Sequence, residues 1–311
     1  MLGFLLGLLA GAASPTQASV NARIREDLRS PYLTTVVSFI SASVIMALIV
    51  LAVDRNLYIP LMTIAKQPFW IWLGGACGTA IIVLNIVCLP RLGSAPNVML
   101  ICFGQTMTGL IIDQFGLFGS EQIPMTLLRF IGSVLVIAGI PLVNGIRNTS
   151  MPAKGTELIV FSILAVLCGF ACAAQIAING TLKEYAGSAF KATQISMAVG
   201  FITTILLMLI LMIFRGRYSI MDGGRDHVPV RFRYWMPVGG ALAAVIVCGN
   251  AVAAPILGTG IVAILNLVGM MAMSLWIDAT GFLGIDRQPV TLVKITGMVL
   301  MAAGSALISL F

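Results

Sequence analysis

Two acids stand inside long apolar runs of this chain, and each precedes a base by sixteen residues: Asp113 before Arg129, and Asp278 before Lys294. A carboxylate in such a run can carry a proton, hold a cation or lock helices through an ion pair. An ionisable group inside a membrane points to function and calls for a named partner. Two adjacent spans joined by a short loop would bring each acid to its base at one membrane face. The pairs therefore read as gating or coupling elements, or equally as structural locks. Amides form the second set. Gln17 and Asn21 are four residues apart and share one helical face, and Gln175 and Asn179 repeat that spacing. Asn85 and Asn250 each stand five residues before a proline, while Gln105 and Asn266 fall near the middle of their runs. An amide can hold a polar solute by donating and accepting at once, or it can tie neighbouring helices together. All eight are substrate-binding candidates with both readings open.

Other chemistries find little support. The six cysteines (Cys77, Cys88, Cys102, Cys168, Cys172 and Cys248) form no CxxC pair, and the one histidine, His227, lies in a loop. A zinc or iron site needs clustered ligands, so no metal is expected, and the cysteines read as small packing residues. No Gly-x-x-x-x-Gly-Lys-[Ser/Thr] loop is present to cradle a nucleotide. No His, Asp, Glu or Ser–Lys constellation assembles at one face, so an integral membrane enzyme is disfavoured, and no cofactor is implied. The aromatic residues give no cation cage: Trp70, Trp72 and Trp235 stand at run starts, where they anchor a helix in the interface.

The elements that must position these groups follow from composition. The chain is 59% hydrophobic and 9% charged, with a mean hydropathy of +1.05. Soluble domains carry about 25% charged residues, so this surface is built for lipid. The apolar runs have the ~20-residue length of bilayer-spanning helices. Their breaks predict ten, at about 2–21, 33–53, 69–89, 97–116, 125–144, 158–179, 191–214, 235–254, 261–279 and 289–310. The runs lack the alternation of barrel strands. The expected fold is all-α and polytopic. The first run lacks the basic opening of a signal peptide and has a mid-chain copy, so it reads as a retained span.

That copy is the key to the architecture. Gly11 to Pro31 recurs at Gly169 to Ala189 with an offset of 158, matching Gly11/Gly169, Gln17/Gln175, Asn21/Asn179, Glu26/Glu184 and Ser30/Ser188. From the third span the offset is 165. It relates Trp70 to Trp235, Asn85 to Asn250, Pro90 to Pro255, Asp113 to Asp278, Gly132 to Gly297 and Gly139 to Gly304. Residues 1–150 and 151–311 thus read as two five-helix repeats. An odd number of spans per copy requires the second to enter the membrane from the opposite side, giving a 5+5 inverted-topology repeat. Alternating access is commonly built on that plan, with the solute near the midplane. Gln105 faces Met270 and Asn266 faces Ile101 under this alignment, so these two amides break the symmetry and are the candidates for choosing the solute.

Loop charge suggests an orientation. Thirteen Lys and Arg, including Arg23, Arg91, Arg147, Arg217, Arg225 and Arg287, fall on one face, and five (Arg55, Lys66, Arg129, Lys183, Lys191) on the other. The first face is expected to be cytoplasmic, with both termini outside. The net charge of +7 follows from this asymmetry, and no segment is long enough to form a nucleic-acid surface.

The opening stretch GAASPTQASVNARIREDLRSPYLTTVVSF resembles the start of the YdcZ family of inner-membrane exporters, related to the drug/metabolite transporter superfamily. In that family a small-residue helix ends in Gln-x-x-x-Asn-x-x-[Leu/Ile], followed by Ser-Pro and a second span. The resemblance implies a fused tandem of two five-span units over nearly the full length. The second copy departs from it at Ala189, where the proline is missing, and at Ala174 opposite Thr16. Together these readings predict a secondary transporter or facilitator, an exporter of a small and preferably uncharged polar solute. The competing reading is a non-transporting membrane scaffold or regulatory subunit. The expected partners are the solute and the bilayer, with no nucleic acid.

Overall fold

A computed structural model describes residues 1–56, 58, 62, 65–120, 122–144, 153–215, 231–257 and 259–310. Arg147, Arg217, Arg225 and His227 lie outside the described residues. Among the described residues ten long helices form and no strand does. In chain order they are α1 (Leu2–Leu28), α2 (Pro31–Val53), α3 (Leu73–Leu92, entered through a 3₁₀ turn at Phe69–Trp72), α4 (Ser94–Phe115), α5 (Leu127–Asn144), α6 (Thr156–Ala186), α7 (Ala189–Arg215), α8 (Val238–Leu257), α9 (Thr259–Thr280) and α10 (Leu292–Leu310). Six stretches are long and apolar enough to cross a bilayer: Pro31–Val53, Phe69–Leu92, Ser94–Phe115, Thr156–Ala186, Ala189–Phe214 and Val262–Thr280. Shorter apolar segments occupy Leu127–Gly139, Val238–Asn250 and Leu292–Ile308.

Local chemistry explains where these helices begin and end. Arg29 adopts the left-handed conformation (φ 55°) that closes α1, then Ser30 caps α2 by accepting from Leu33 N at 3.3 Å, with Pro31 in the first turn where its missing N–H costs nothing. In the second copy Gly187 (φ 79°) closes α6, and Ser188 accepts from Phe190 N at 3.2 Å without a following proline. Two expected ends move outward. The α1 helix continues past Asn21 to Leu28 because its charged last turns find partners: Arg25 donates to the Ile86 carbonyl at 3.0 Å and Asp27 pairs with Arg233 at 2.9 Å. The α3 helix continues two residues beyond Pro90. Proline removes the bond to the carbonyl four residues earlier, and that carbonyl belongs to Ile86, which Arg25 satisfies.

Packing interleaves the two halves of the chain. The α1 helix lies chiefly against α8 and α9, α6 lies against α3 and α4, α2 contacts α7 and α8, and α5 pairs with α10. Small residues set these approaches. A Cβ on Gly11 would overlap the Asn266 carbonyl and one on Gly169 would overlap the Ile101 carbonyl, so only glycine admits each crossing. Gly132 sits against Gly304, and Gly139 against Gly297. An apolar cluster of Met99, Cys102, Leu267, Met271, Met298 and Met301 fills the space between α4, α9 and α10.

Candidate functional site

The amides of α1 and α6 reach across to the opposite half rather than to one another. Gln17 Nε2 donates to the Gly239 carbonyl at the start of α8 (3.0 Å), and Gln175 Nε2 donates to the Gly74 carbonyl at the start of α3 (3.0 Å). Asn21 accepts from Ser38 Oγ on α2 at 2.9 Å, and Asn179 accepts from Ser196 Oγ on α7. These contacts correspond residue for residue under the offsets of 158 and 165. Each first span is thus seated against the third and fourth helices of the other half. Asn21 is 3% exposed, well inside the packed helix rather than at a charged loop.

The later amides diverge. Asn266 Nδ2 donates to Asn250 Oδ1 at 2.7 Å and to the Val262 carbonyl at 2.8 Å. In the first half the partner of Asn85 is Asn97, whose Nδ2 donates to Asn85 Oδ1 at 2.9 Å, while Asn85 Nδ2 points to Cys168 Sγ at 3.6 Å. Gln105 is half-buried on the α4 face near Gly169, with no side-chain hydrogen bond among the described residues. Its counterpart Met270 receives the Cys102 thiol at 3.7 Å.

The acid–base pairs lie at opposite ends of the bundle and differ in burial. Asp113 pairs with Arg129 at 2.7 Å and remains 30% exposed; Arg129 also donates to the Ile123 and Ile308 carbonyls, both at 3.2 Å. Asp278 is fully buried. Its two oxygens accept from Ser94 N (2.7 Å) and Ala95 N (3.0 Å), the first amides of α4, so the acid of one half caps a helix of the other. Lys294 Nζ stands 3.9 Å from Asp278 and donates to Gln288 Oε1 at 3.2 Å, and Gln288 Nε2 donates to the Leu92 carbonyl at 3.0 Å. Capping amides and ammonium together replace the water a buried carboxylate loses.

Several polar groups in this network were not singled out from the sequence. Thr79 and Thr204, both buried, share a hydrogen bond of 3.1 Å between α3 and α7, and Thr79 also bonds the Gly200 carbonyl at 2.9 Å. Their repeat counterparts, Ala244 and Met46, are apolar and packed together. Asn97 is 1% exposed, with its Oδ1 unpartnered among the described residues. The signal for all three was the one that found Gln105 and Asn266: a polar residue opposite an apolar one in the repeat. Gln288 carried the same cue, opposite Ile123, but it stands in a turn outside the apolar runs. On the arginine-rich face, Arg23, Asp27, Arg233, Trp235 and Leu283 line a cleft of about 340 Å³. The corresponding place at the other end is filled, with Trp70 edge-on to Phe118 at 5.8 Å and Thr181 bonded to the Phe118 carbonyl at 2.6 Å.

The cysteines are free thiols dispersed among the helices, and no group of three metal-ligating side chains occurs among the described residues.

Comparison with known proteins gives two findings. Residues 2–142 and 160–307 each match the family described as "Putative inner membrane exporter, YdcZ". The chain also aligns over 98% of its length, with 16% identity and a TM-score of 0.53, to 96% of a solved chain titled only "Crystal structure of protein". At that identity the likeness concerns the fold alone. No curated protein matches the chain.

Proposed function

Because the chain belongs to the YdcZ family of inner-membrane exporters, we propose that it exports a small solute by alternating access between two inverted five-helix repeats, residues 1–150 and 151–311. The observation that carries this reading is the duplication of contacts across the two halves. Gln17–Gly239 answers Gln175–Gly74, Asn21–Ser38 answers Asn179–Ser196, and Gly132–Gly304 answers Gly139–Gly297. In that last pair the lower number of one half meets the higher number of the other, as antiparallel helices related by a twofold require. A pseudo-symmetric interface of this kind can close at one end while it opens at the other.

In this reading Gln17, Asn21, Gln175 and Asn179 form the shared frame of the solute path. Asn85, Asn250, Gln105 and Asn266 supply polar contacts to the solute, with Asn97 and Thr79 added from the structure. The Asp113–Arg129 and Asp278–Lys294 pairs work as gates at the two ends. Both termini are placed outside the cytoplasm, because the face bearing Arg23, Arg91 and Arg287 is the more cationic. Amide and hydroxyl groups inside the bundle suit an uncharged polar solute better than a cationic drug.

Purified protein in sealed liposomes tests the proposal. Radiolabelled sugars, nucleosides, amino acids and amines are offered with and without a pH gradient. Saturable flux of at least one class is expected. Absence of flux across all four classes would favour the scaffold reading.

A further inference from the structure

The two repeats carry different bases at one position, and the bases are held differently. Arg129 and Lys294 correspond at the offset of 165. Arg129 directs its donors to Asp113 and to the Ile123 and Ile308 carbonyls. Lys294 is buried, and its amine makes one hydrogen bond among the described residues, to Gln288 at 3.2 Å. Asp278 Oδ2, at 3.9 Å, is beyond hydrogen-bonding distance. An ammonium has three donors, so this one is under-used. Two more polar groups are unmet on the first turn of α4, the turn that Asp278 caps. Ser94 Oγ and Asn97 Oδ1 are buried, three residues apart on one helical face, and without a partner among the described residues. Asn97 Nδ2 donates to Asn85, so polar groups lead from the Asp278–Lys294 knot to that amide. Val262 stands opposite Asn97 in the repeat, so this feature belongs to one half.

We propose that Lys294 is the proton-binding group of this transporter, and that Ser94 and Asn97 line a hydrated route by which its proton reaches the solute path at Asn85. This role rests on the transport reading above and supplies its driving force. An arginine keeps its charge at any pH a protein meets, whereas a buried lysine can give its proton up. In the step itself one Nζ–H bond breaks, the electron pair stays on the nitrogen and the proton passes to water. Asp278 keeps its two amide donors and remains a carboxylate. A water touching Ser94 Oγ and Asn97 Oδ1 would gain polar partners of the kind buried water requires. Among the described residues Asp278 on α9 is the charged group that acts on the ammonium. The α4 and α5 helices carry their charges, Asp113 and Arg129, at the far end of the bundle, and Asp286 and Arg287 in the turn before α10 are exposed. Export of solute is then exchanged for a proton entering from outside.

Nitrogen NMR of the full wild-type chain in nanodiscs, labelled with ¹⁵N at lysine Nζ, tests the proton site without any solute. The lysines are Lys66, Lys154, Lys183, Lys191 and Lys294. Single replacement by arginine assigns each signal, and Lys294 is assigned by elimination if K294R does not fold. Between about pH 5 and 9 the Lys294 signal is expected to pass from ammonium to amine while the other four stay ammonium. A Lys294 ammonium that persists through that range is a structural counter-ion, and overturns the proposal. Liposomes give the second arm, using the sugar, nucleoside, amino acid or amine that the wild type carries. A one-unit pH gradient at zero membrane potential is expected to sustain a solute gradient of about tenfold. K294R, which keeps a positive charge beside Asp278, is expected to equilibrate the solute without accumulating it, whereas R129K accumulates it as the wild type does. Accumulation by K294R also overturns the proposal. A titrating Lys294 in a chain that carries none of the four solute classes would sink the transport reading and leave the proton site standing.

Discussion

Replacing Gly11 with alanine probes whether the halves are held by the close crossings described above. The added Cβ would lie 2.7 Å from both the carbonyl carbon and the Cα of Asn266, where ordinary contacts are 3.4–4 Å. These are backbone atoms in α9 and cannot rotate away, so α1 and α9 must separate by roughly 1 Å along much of their shared face. Overpacking of this kind costs about 1–3 kcal/mol. Gly169→Ala repeats the experiment at the other crossing, where the Cβ would meet Gln105 N at 2.6 Å and Gly104 Cα at 2.9 Å. Gly109→Ala is the control, because nothing lies within 4 Å of its Cβ. There the exchange should be neutral or stabilising by up to about 1 kcal/mol through helix propensity. Reversible unfolding in mixed SDS and bicelles measures all three. The reasoning is refuted if Gly11→Ala and Gly169→Ala unfold no more readily than Gly109→Ala.

Other outcomes follow from individual contacts. Asn266→Ala should destabilise by about 0.6–2 kcal/mol through loss of its bonds to Asn250 and Val262, whereas Gln105→Ala should leave the unfolding midpoint unchanged. Both substitutions should weaken the affinity of any solute found by thermal shift, and unaltered affinity in both would remove them from the site. A double-mutant cycle of Thr79→Val and Thr204→Val should give a coupling of about 0.5–1.7 kcal/mol in bicelle unfolding, with zero coupling contradicting the hydrogen bond. Lys294→Met should cost at least about 3 kcal/mol by the same assay, because it strands the fully buried Asp278; a change under 1 kcal/mol would show that the capping amides alone suffice.

Much of this arrangement was legible in the sequence because it rests on period and repetition. Ten helices form near the ten apolar runs, and the family match falls in two segments, as the duplicated Gln-x-x-x-Asn pattern suggested. The sixteen-residue spacing of Asp113 to Arg129 and Asp278 to Lys294 does bring each acid to its base. What could not be read depends on the other half of the chain. That α1 runs to Leu28 depends on Ile86 and Arg233, residues 61 positions from Arg25 and 206 from Asp27. The full burial of Asp278 is not written in its own stretch of sequence. It depends on the distant start of α4, where the Ser94 and Ala95 amides donate to it. Gln17 and Gln175 illustrate the same limit: spacing placed them on a face, but only the packed structure shows that the face meets the third helix of the opposite half.

Opposite insertion of the two repeats is the premise on which the gates and alternating access both depend. Gln122 and Arg287 are exposed and equivalent under the repeat, at the turns before α5 and α10. In a background with the six native cysteines replaced, Gln122→Cys and Arg287→Cys are labelled singly with a membrane-impermeant maleimide added to one side of sealed, uniformly oriented vesicles. The account predicts that one position labels only from outside and the other only after permeabilisation. Labelling of both from the same side would contradict it.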